Sequence, residues 1–196
     1  VPRAETRQRI LLASVRTLAE VGYAKTTARA IATTGGFAPG VIYYHFTDLD
    51  ELFVATARFT SQARLARYRA ETDGVTSAVE LVGRLRGLYA EDGSEGHIAA
   101  VQELIAAANT SARLAEEVRS STAEWQSFAA DVIERVLDGT PFAGLVPVRE
   151  AAAAAVAAYL GVEMLSHLKA NHTDPAMLFD AAERIAAGFD AVRRTE

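Results

Sequence analysis

The sequence predicts an all-α fold. Apolar residues recur at helical spacing along nearly the whole chain, and no segment alternates apolar and polar residues as a half-buried strand does. Glycines, prolines and Asp-Gly pairs fall between the periodic stretches, where turns belong. Half of the 196 residues are apolar and 23% are charged, which suits a soluble chain with a sizeable core.

The first helix runs from about Ala4 to Glu20, with Ile10, Leu11, Val15, Leu18 and Ala19 on one face. Gly22 lies just past its end, where a left-handed residue carries little cost. Thr26 or Thr27 caps a short second helix that turns Ala30 and Ile31 inward. Gly35-Gly36 ends it. Pro39 opens a third short helix reaching about His45, since proline's missing N–H is no loss at a first helical position. Asp48 and Glu51 form an Asp-x-x-Glu capping box before a long fourth helix to about Ala70, which carries Leu52, Phe53, Phe59 and Leu65. Further helices are expected over about 76–91, 95–108, 111–137, 148–171 and 175–194. Asp73-Gly74, Asp92-Gly93 and the proline- and glycine-bearing loop 139–147 punctuate them. Two domains are expected, 1–47 and 48–196.

Several function classes find no support. The start VPRAETRQRI lacks the apolar core of a signal peptide, and Ala-rich 151–162 is too short for a span, so a cytoplasmic chain without membrane contact is expected. With no cysteine there is neither a disulfide framework nor a thiolate metal site. A glycine-rich phosphate loop, a nucleophile elbow and a His-x-x-x-His pair are all missing, so neither enzyme chemistry nor a cofactor is expected. His45, His97, His167 and His172 are scattered and read as solvent-facing.

The net charge of −5, taken alone, argues against nucleic acid. Through residue 70, however, there are 10 Arg/Lys against 5 Asp/Glu, and beyond it 10 against 20. A head at +5 on a body at −10 suits a protein of which only the head meets a polyanion. Chance charge on solvated helix faces is the bland alternative.

The informative segment is Thr26–Leu52, TTARAIATTGGFAPGVIYYHFTDLDEL. Two short helices meet at a glycine turn, the layout of a helix-turn-helix whose second helix enters the major groove. The groove is about 12 Å wide, so it admits one helix, and one this short presents little beyond its first turn. Gly40 allows close backbone approach, while Tyr43, Tyr44 and His45 offer donors and flat apolar surface to phosphates, sugars and thymine methyls. Ile31, Phe37, Ile42 and Phe46 read as core.

The run from Thr6 to about Ala57 resembles the N-terminal domain of the TetR (tetracycline repressor) family. The shared pattern is Arg9-Ile10-Leu11, Gly22-Tyr23, Thr26-Thr27, Ile31-Ala32, Gly36, Gly40, Tyr43, Phe46 and Glu51-Leu52. The resemblance implies three N-terminal helices for operator DNA and a six-helix body for a ligand and for dimerisation. The expected DNA-facing set is Thr26, Thr27, Arg29, Ala38, Pro39, Gly40, Val41, Tyr43, Tyr44 and His45. Three positions depart from the family pattern. Ala38 stands where a capping serine is common, at a cost of about 1 kcal/mol. Leu49 replaces a frequent lysine, which lowers the salt slope by about one per half-site. Val41 replaces a frequent threonine. An all-helical scaffold that no longer binds DNA would explain these departures, but the Tyr-Tyr-His surface and the basic head oppose it.

The resemblance also implies an effector pocket in the body, for a small molecule of unread identity. Its expected wall includes Phe59, Leu85, Tyr89, Trp125, Phe128 and Tyr159, with Gln62, Gln102, Glu163 and His167 as sparse polar anchors. Trp125 is foremost, because a buried indole N–H needs a partner. The last two helices are expected to form a four-helix homodimer seam, through Ala153, Ala157, Leu160, Gly161 and Met164 on one and Phe179, Ala182, Ile185, Ala186 and Phe189 on the other.

Overall fold

The computed structural model describes residues 3–167 and 174–193, with the side chains of Glu163, Ser166, His167 and Arg193 outside the description. The expected anchors Glu163 and His167 therefore lie outside the described side chains, and His172 and the end of the expected helix 148–171 lie outside the described residues. Among the described residues there is no strand. The helices are α1 (Arg3–Val21), α2 (Ala28–Gly35), α3 (Gly40–His45), α4 (Leu49–Glu71) and α5 (Ala78–Ser94). They continue with α6 (His97–Ala107), α7 (Ala112–Leu137), α8 (Val148–His167) and α9 (Pro175–Arg193). A 3-10 turn over Tyr23–Lys25, too short for periodicity to reveal, joins α1 to α2. No helix among the described residues is long and apolar enough to cross a membrane.

The chain divides into two compact units, Val1–Arg64 with Glu91–Ser121 and Leu65–Ala90 with Thr122–Glu196. In the first, Ile10, Leu18, Ile31, Ile42, Leu52, Leu104 and Leu114 form the centre of the core, each almost fully buried. Hydroxyls are buried among them. Thr17 Oγ1 donates to Ala13 O (2.8 Å) and contacts Thr34 Oγ1 (3.0 Å), and Thr56 Oγ1 donates to Leu52 O (2.7 Å) beside Ser14 Oγ (3.1 Å). Returning a hydroxyl to its own helix four residues back is how such a group is buried without loss of hydrogen bonds.

His97 corrects the expectation of a solvent-facing ring: it is buried, and its Nδ1 lies 2.5 Å from Thr60 Oγ1. Arg64 and Asp92 are likewise interior, paired at 2.6 Å. Polar residues read from sequence default to the surface, and only tertiary packing shows where a partner makes burial tolerable.

In the second unit, Leu65, Tyr68, Leu88, Phe128 and Val132 form a core that Leu81, Leu85 and Trp125 flank. The α5 start is capped from a distance. Asp190 accepts from Ser77 Oγ (2.6 Å), Ala78 N (2.9 Å) and Val79 N (3.1 Å), supplying the negative charge that a helix N-terminus favours. Arg86 joins α5 to α9 by pairing with Asp180 and Glu183 beneath the Phe179 ring, and the Asp180 hydrogen bond raises its pKa.

Candidate nucleic-acid interface

Thr27, not Thr26, caps α2: its side chain accepts from Ala30 N at 3.1 Å. The other end closes on a left-handed Gly36 (φ +67°), with Phe37 N donating to Ala32 O (3.0 Å) and Gly36 N to Thr33 O (3.3 Å). This paired six-to-one and five-to-two pattern is a Schellman turn, which fixes where the chain leaves α2 and hence where α3 begins. Gly35 serves a different purpose. A Cβ there would lie 2.8 Å from Phe37 Cδ1 and Cζ and closer still to Cε1, so the ring occupies the space a side chain would need.

α3 starts on Pro39, whose φ of −53° is already helical, and is seated by Ile42 and Phe46, both buried. That seating turns the other side outward. Tyr43 is 55% exposed and Tyr44 71%, against the rule that large aromatics find burial. Ala38, Pro39 and Gly40 are exposed beside them, and nothing lies within 4 Å of a Cβ at Gly40. His45 is half-buried, edge-on to Tyr44 at 5.1 Å. Thr27 and Arg29 are exposed on α2.

Two of the expected contacts are differently placed. Thr26 is buried and its hydroxyl donates to Gly22 O (2.7 Å), so it holds the 3-10 turn and offers no side chain to a ligand. Val41 is half-buried against the core, with its backbone N donating to Ala38 O (3.0 Å). Leu49 packs on the same core, which gives its apolar side chain a structural use.

α4 begins with the expected cap, slightly rearranged. Glu51 N donates to Asp48 Oδ1 (2.6 Å), while the Glu51 carboxylate accepts from Thr47 N (2.7 Å), one residue ahead of a capping box's usual target. The Thr47 backbone and side chain, assisted by Arg113, lower the Glu51 pKa.

Charge in the first 30 residues is unbalanced. Arg3, Arg7, Arg9, Arg16, Lys25 and Arg29 are exposed and make no salt bridge among the described residues, whereas Arg58, Arg64, Arg84, Arg86, Arg113 and Arg119 each do. Of these six only Arg29 is among the expected site residues, and two of the other five lie against aromatic rings. Arg3 lies over the Tyr44 ring (5.6 Å to the centroid) and Arg7 over the Phe46 ring (5.0 Å). Their i, i+4 spacing at the start of a helix was the available signal.

The expected effector residues divide between the units. Phe59 is half-buried and Gln62 exposed in the first unit; Gln102 is half-buried there, with its Nε2 enclosed and lacking a hydrogen-bond partner. In the second, Leu85, Trp125 and Phe128 pack around Tyr68, with Trp125 edge-on to it at 5.0 Å, and Tyr89 contacts Tyr159 (5.8 Å) and Phe179 (5.6 Å). A groove of about 510 Å³ in the first unit is lined by Val54, Arg58, Ala112, Arg113, Glu116, Glu117 and Ser120. It contains none of the expected effector residues, and the Arg58–Glu117 ion pair on its wall makes it unlike an apolar pocket.

Of the expected dimer residues, Met164 and Ile185 are strongly exposed and Ala157 is exposed. Ala153, Leu160, Gly161 and Ala182 are half-buried. Three are engaged within the protomer: Ala186 is buried, Phe189 stacks on Phe142 (5.3 Å) and Phe179 meets Tyr89. Leu178, Ile185 and Val192, seven residues apart on α9, are exposed instead.

Residues 10–56 match the profile of the family described as bacterial regulatory proteins, tetR family. An uncharacterized HTH-type transcriptional regulator of Mycobacterium tuberculosis is 31% identical over 146 residues, 70% of each chain. The HTH-type transcriptional repressor AcnR of Corynebacterium diphtheriae is 43% identical over 65 residues, 33% of this chain and 34% of that one. Among solved structures, the transcriptional regulator FadR from Bacillus subtilis in complex with stearoyl-CoA superposes with a TM-score of 0.74 at 15% identity, covering 91% of this chain and 96% of that one.

Proposed function

From the premise that this chain belongs to the TetR family of bacterial regulatory proteins and is a transcriptional regulator, we propose that it is a one-component repressor. In this reading a homodimer binds a palindromic operator through α3 and is released by a small, largely apolar effector. Residues 1–47 read DNA, and 48–196 bind the effector and dimerise. The observation that carries the reading is the outward face of α3. Two tyrosines stand exposed on a six-residue helix whose opposite side is locked into the core, beside Arg3 and Arg7, which pair with no acid among the described residues. A polyanion with a groove for one short helix is the partner that satisfies both features.

Repression accords with the AcnR relative, an HTH-type transcriptional repressor. The dimer is supported by the α9 stripe, because apolar residues every seven positions are the pattern of a helix seam and are left bare in the single chain. The seam is drawn through Met164, Leu178, Ile185 and Val192, with Ala186 and Phe189 removed from it. An apolar effector is supported by the aromatic side chains of the second unit and by the stearoyl-CoA held by the FadR neighbour.

A gel-shift titration with duplex from the upstream region of the chain's own gene tests the reading. Expected is saturable binding that outcompetes unrelated duplex, weakened by Tyr43→Ala and Tyr44→Ala and relieved by an effector. Equal affinity for both duplexes contradicts an operator-specific regulator.

A further inference from the structure

We propose that the first two turns of α1 are a second DNA-contacting element, in which Arg3 and Arg7 grip the phosphate strand flanking the groove that α3 enters. The inference rests on the DNA reading above and adds two residues to it.

Arg3 and Arg7 are one turn apart on the same face of α1, and both point at the end of α3. A guanidinium held over an aromatic ring is attracted by charge and not by hydrogen bonds, so its N–H donors remain available to an acceptor. Arg3 lies over Tyr44, 5.6 Å from the ring centroid, and Arg7 over Phe46 at 5.0 Å, and no acid pairs with either among the described residues. The cations therefore sit against rings without being neutralised by an acid, beside the most exposed aromatic of α3. Their position is also unfavourable in the isolated chain. The first turns of a helix carry the positive end of its dipole and favour anions, and Glu5 is the only acid in the first turn of α1. An external anion resolves that conflict. Phosphates are the anions a duplex presents beside an inserted helix, and arginine edges match them in geometry.

Salt dependence separates a phosphate grip from a mere brace for α3. Anisotropy of a labelled duplex of about 30 base pairs, once of the upstream region and once of arbitrary sequence, is followed between about 50 and 200 mM salt. Each of Arg3→Gln and Arg7→Gln is expected to lower the slope of log K against log salt by about 0.9 per bound protomer, and the double variant by about twice that. The loss is expected on both duplexes, because phosphate contacts carry no sequence. Arg3→Lys with Arg7→Lys restores most of the slope, since charge and not ring stacking releases counterions. Arg16→Gln, about 14 Å beyond Arg7 along α1, leaves it unchanged. Unchanged slopes in the double Gln variant overturn the inference, even where affinity falls, because the arginines then only brace α3. A wild-type chain that binds neither duplex overturns the DNA reading and this inference with it, an outcome distinct from binding with unchanged slopes.

Discussion

Substituting Gly35 by alanine sets two known effects against each other. In a helix, alanine for glycine ordinarily stabilises by about 0.5–1 kcal/mol through backbone entropy. Here the new Cβ would sit 2.8 Å from two atoms of the Phe37 ring and nearer to a third. Carbon atoms need about 3.5–4.0 Å, so the ring must retreat by about 1 Å or more. It has little freedom to do so, because the Phe37 N–H is held by Ala32 O in the turn and the ring packs on the core. Overpacking of that kind costs about 1–3 kcal/mol, which cancels the helical gain at least and leaves a net loss of up to about 2.5 kcal/mol. Equilibrium urea unfolding followed by circular dichroism measures it. The mechanism has a sharper signature in the Phe37→Ala background. There the clash is gone and Gly35→Ala should stabilise by about 0.5–1 kcal/mol. Gly36→Ala supplies the contrast: it should cost about 1–2 kcal/mol in both backgrounds, because its penalty lies in a left-handed backbone with open space around it. An equal effect of Gly35→Ala with Phe37 present and in the Phe37→Ala background would refute the steric argument.

Three further outcomes follow from the packing. Asp92→Asn removes the carboxylate charge from its buried pair with Arg64 and should cost about 1–3 kcal/mol in urea unfolding; a loss below about 0.5 kcal/mol would mean that the charge of the pair contributes little to the fold. Ile185→Asp should give a folded monomer in sedimentation velocity at micromolar concentration, whereas Phe189→Asp should lower the melting temperature by disrupting its stack on Phe142; a dimer that survives Ile185→Asp contradicts the seam. Glu51 has a lowered pKa, so its carboxylate stabilises the fold above the ordinary value of 4.5, and that contribution fades as pH falls through the lower folded value. Glu51→Gln should therefore be less stable than wild type near neutral pH and converge with it in acid; a gap that persists in acid would assign the effect to packing.

The parts of the fold that were legible in the sequence are those in which one residue type has one physical use. Gly36 ends α2 because only glycine takes the left-handed position cheaply, Pro39 starts α3, and the Asp48/Glu51 pair starts α4. Ile31, Ile42 and Phe46 were legible as the seat of α3 because their spacing fits one buried face, which left Tyr43 and Tyr44 for the outside. What was not legible depends on partners far along the chain. Nothing near Thr60 announces that His97 will bury against it, and nothing near Ser77 announces that Asp190 will cap α5 from 112 residues away at Ala78. Thr26 and Thr27 are identical in sequence terms, yet one closes the 3-10 turn and the other caps α2. On α9 the periodicity reveals apolar faces but not which neighbour each meets. Phe189 is spent on Phe142 and Ala186 on the interior, leaving Ile185 for a partner. The effector side chains were chosen by resemblance and chemical type, and such a choice says little about which will share a cavity, since core aromatics and ligand walls use the same residues.

Hydroxyl-radical footprinting of the chain's own upstream DNA tests the central claim most directly. A dimer presenting two α3 helices should protect two symmetry-related patches whose centres lie about 10–10.5 base pairs apart or a multiple of that spacing. The protection should disappear when Tyr43 and Tyr44 are both replaced by alanine, with the circular dichroism spectrum and dimer unchanged. Protection that survives the double substitution, or a single patch without a symmetry mate, would contradict recognition of a palindromic site through α3.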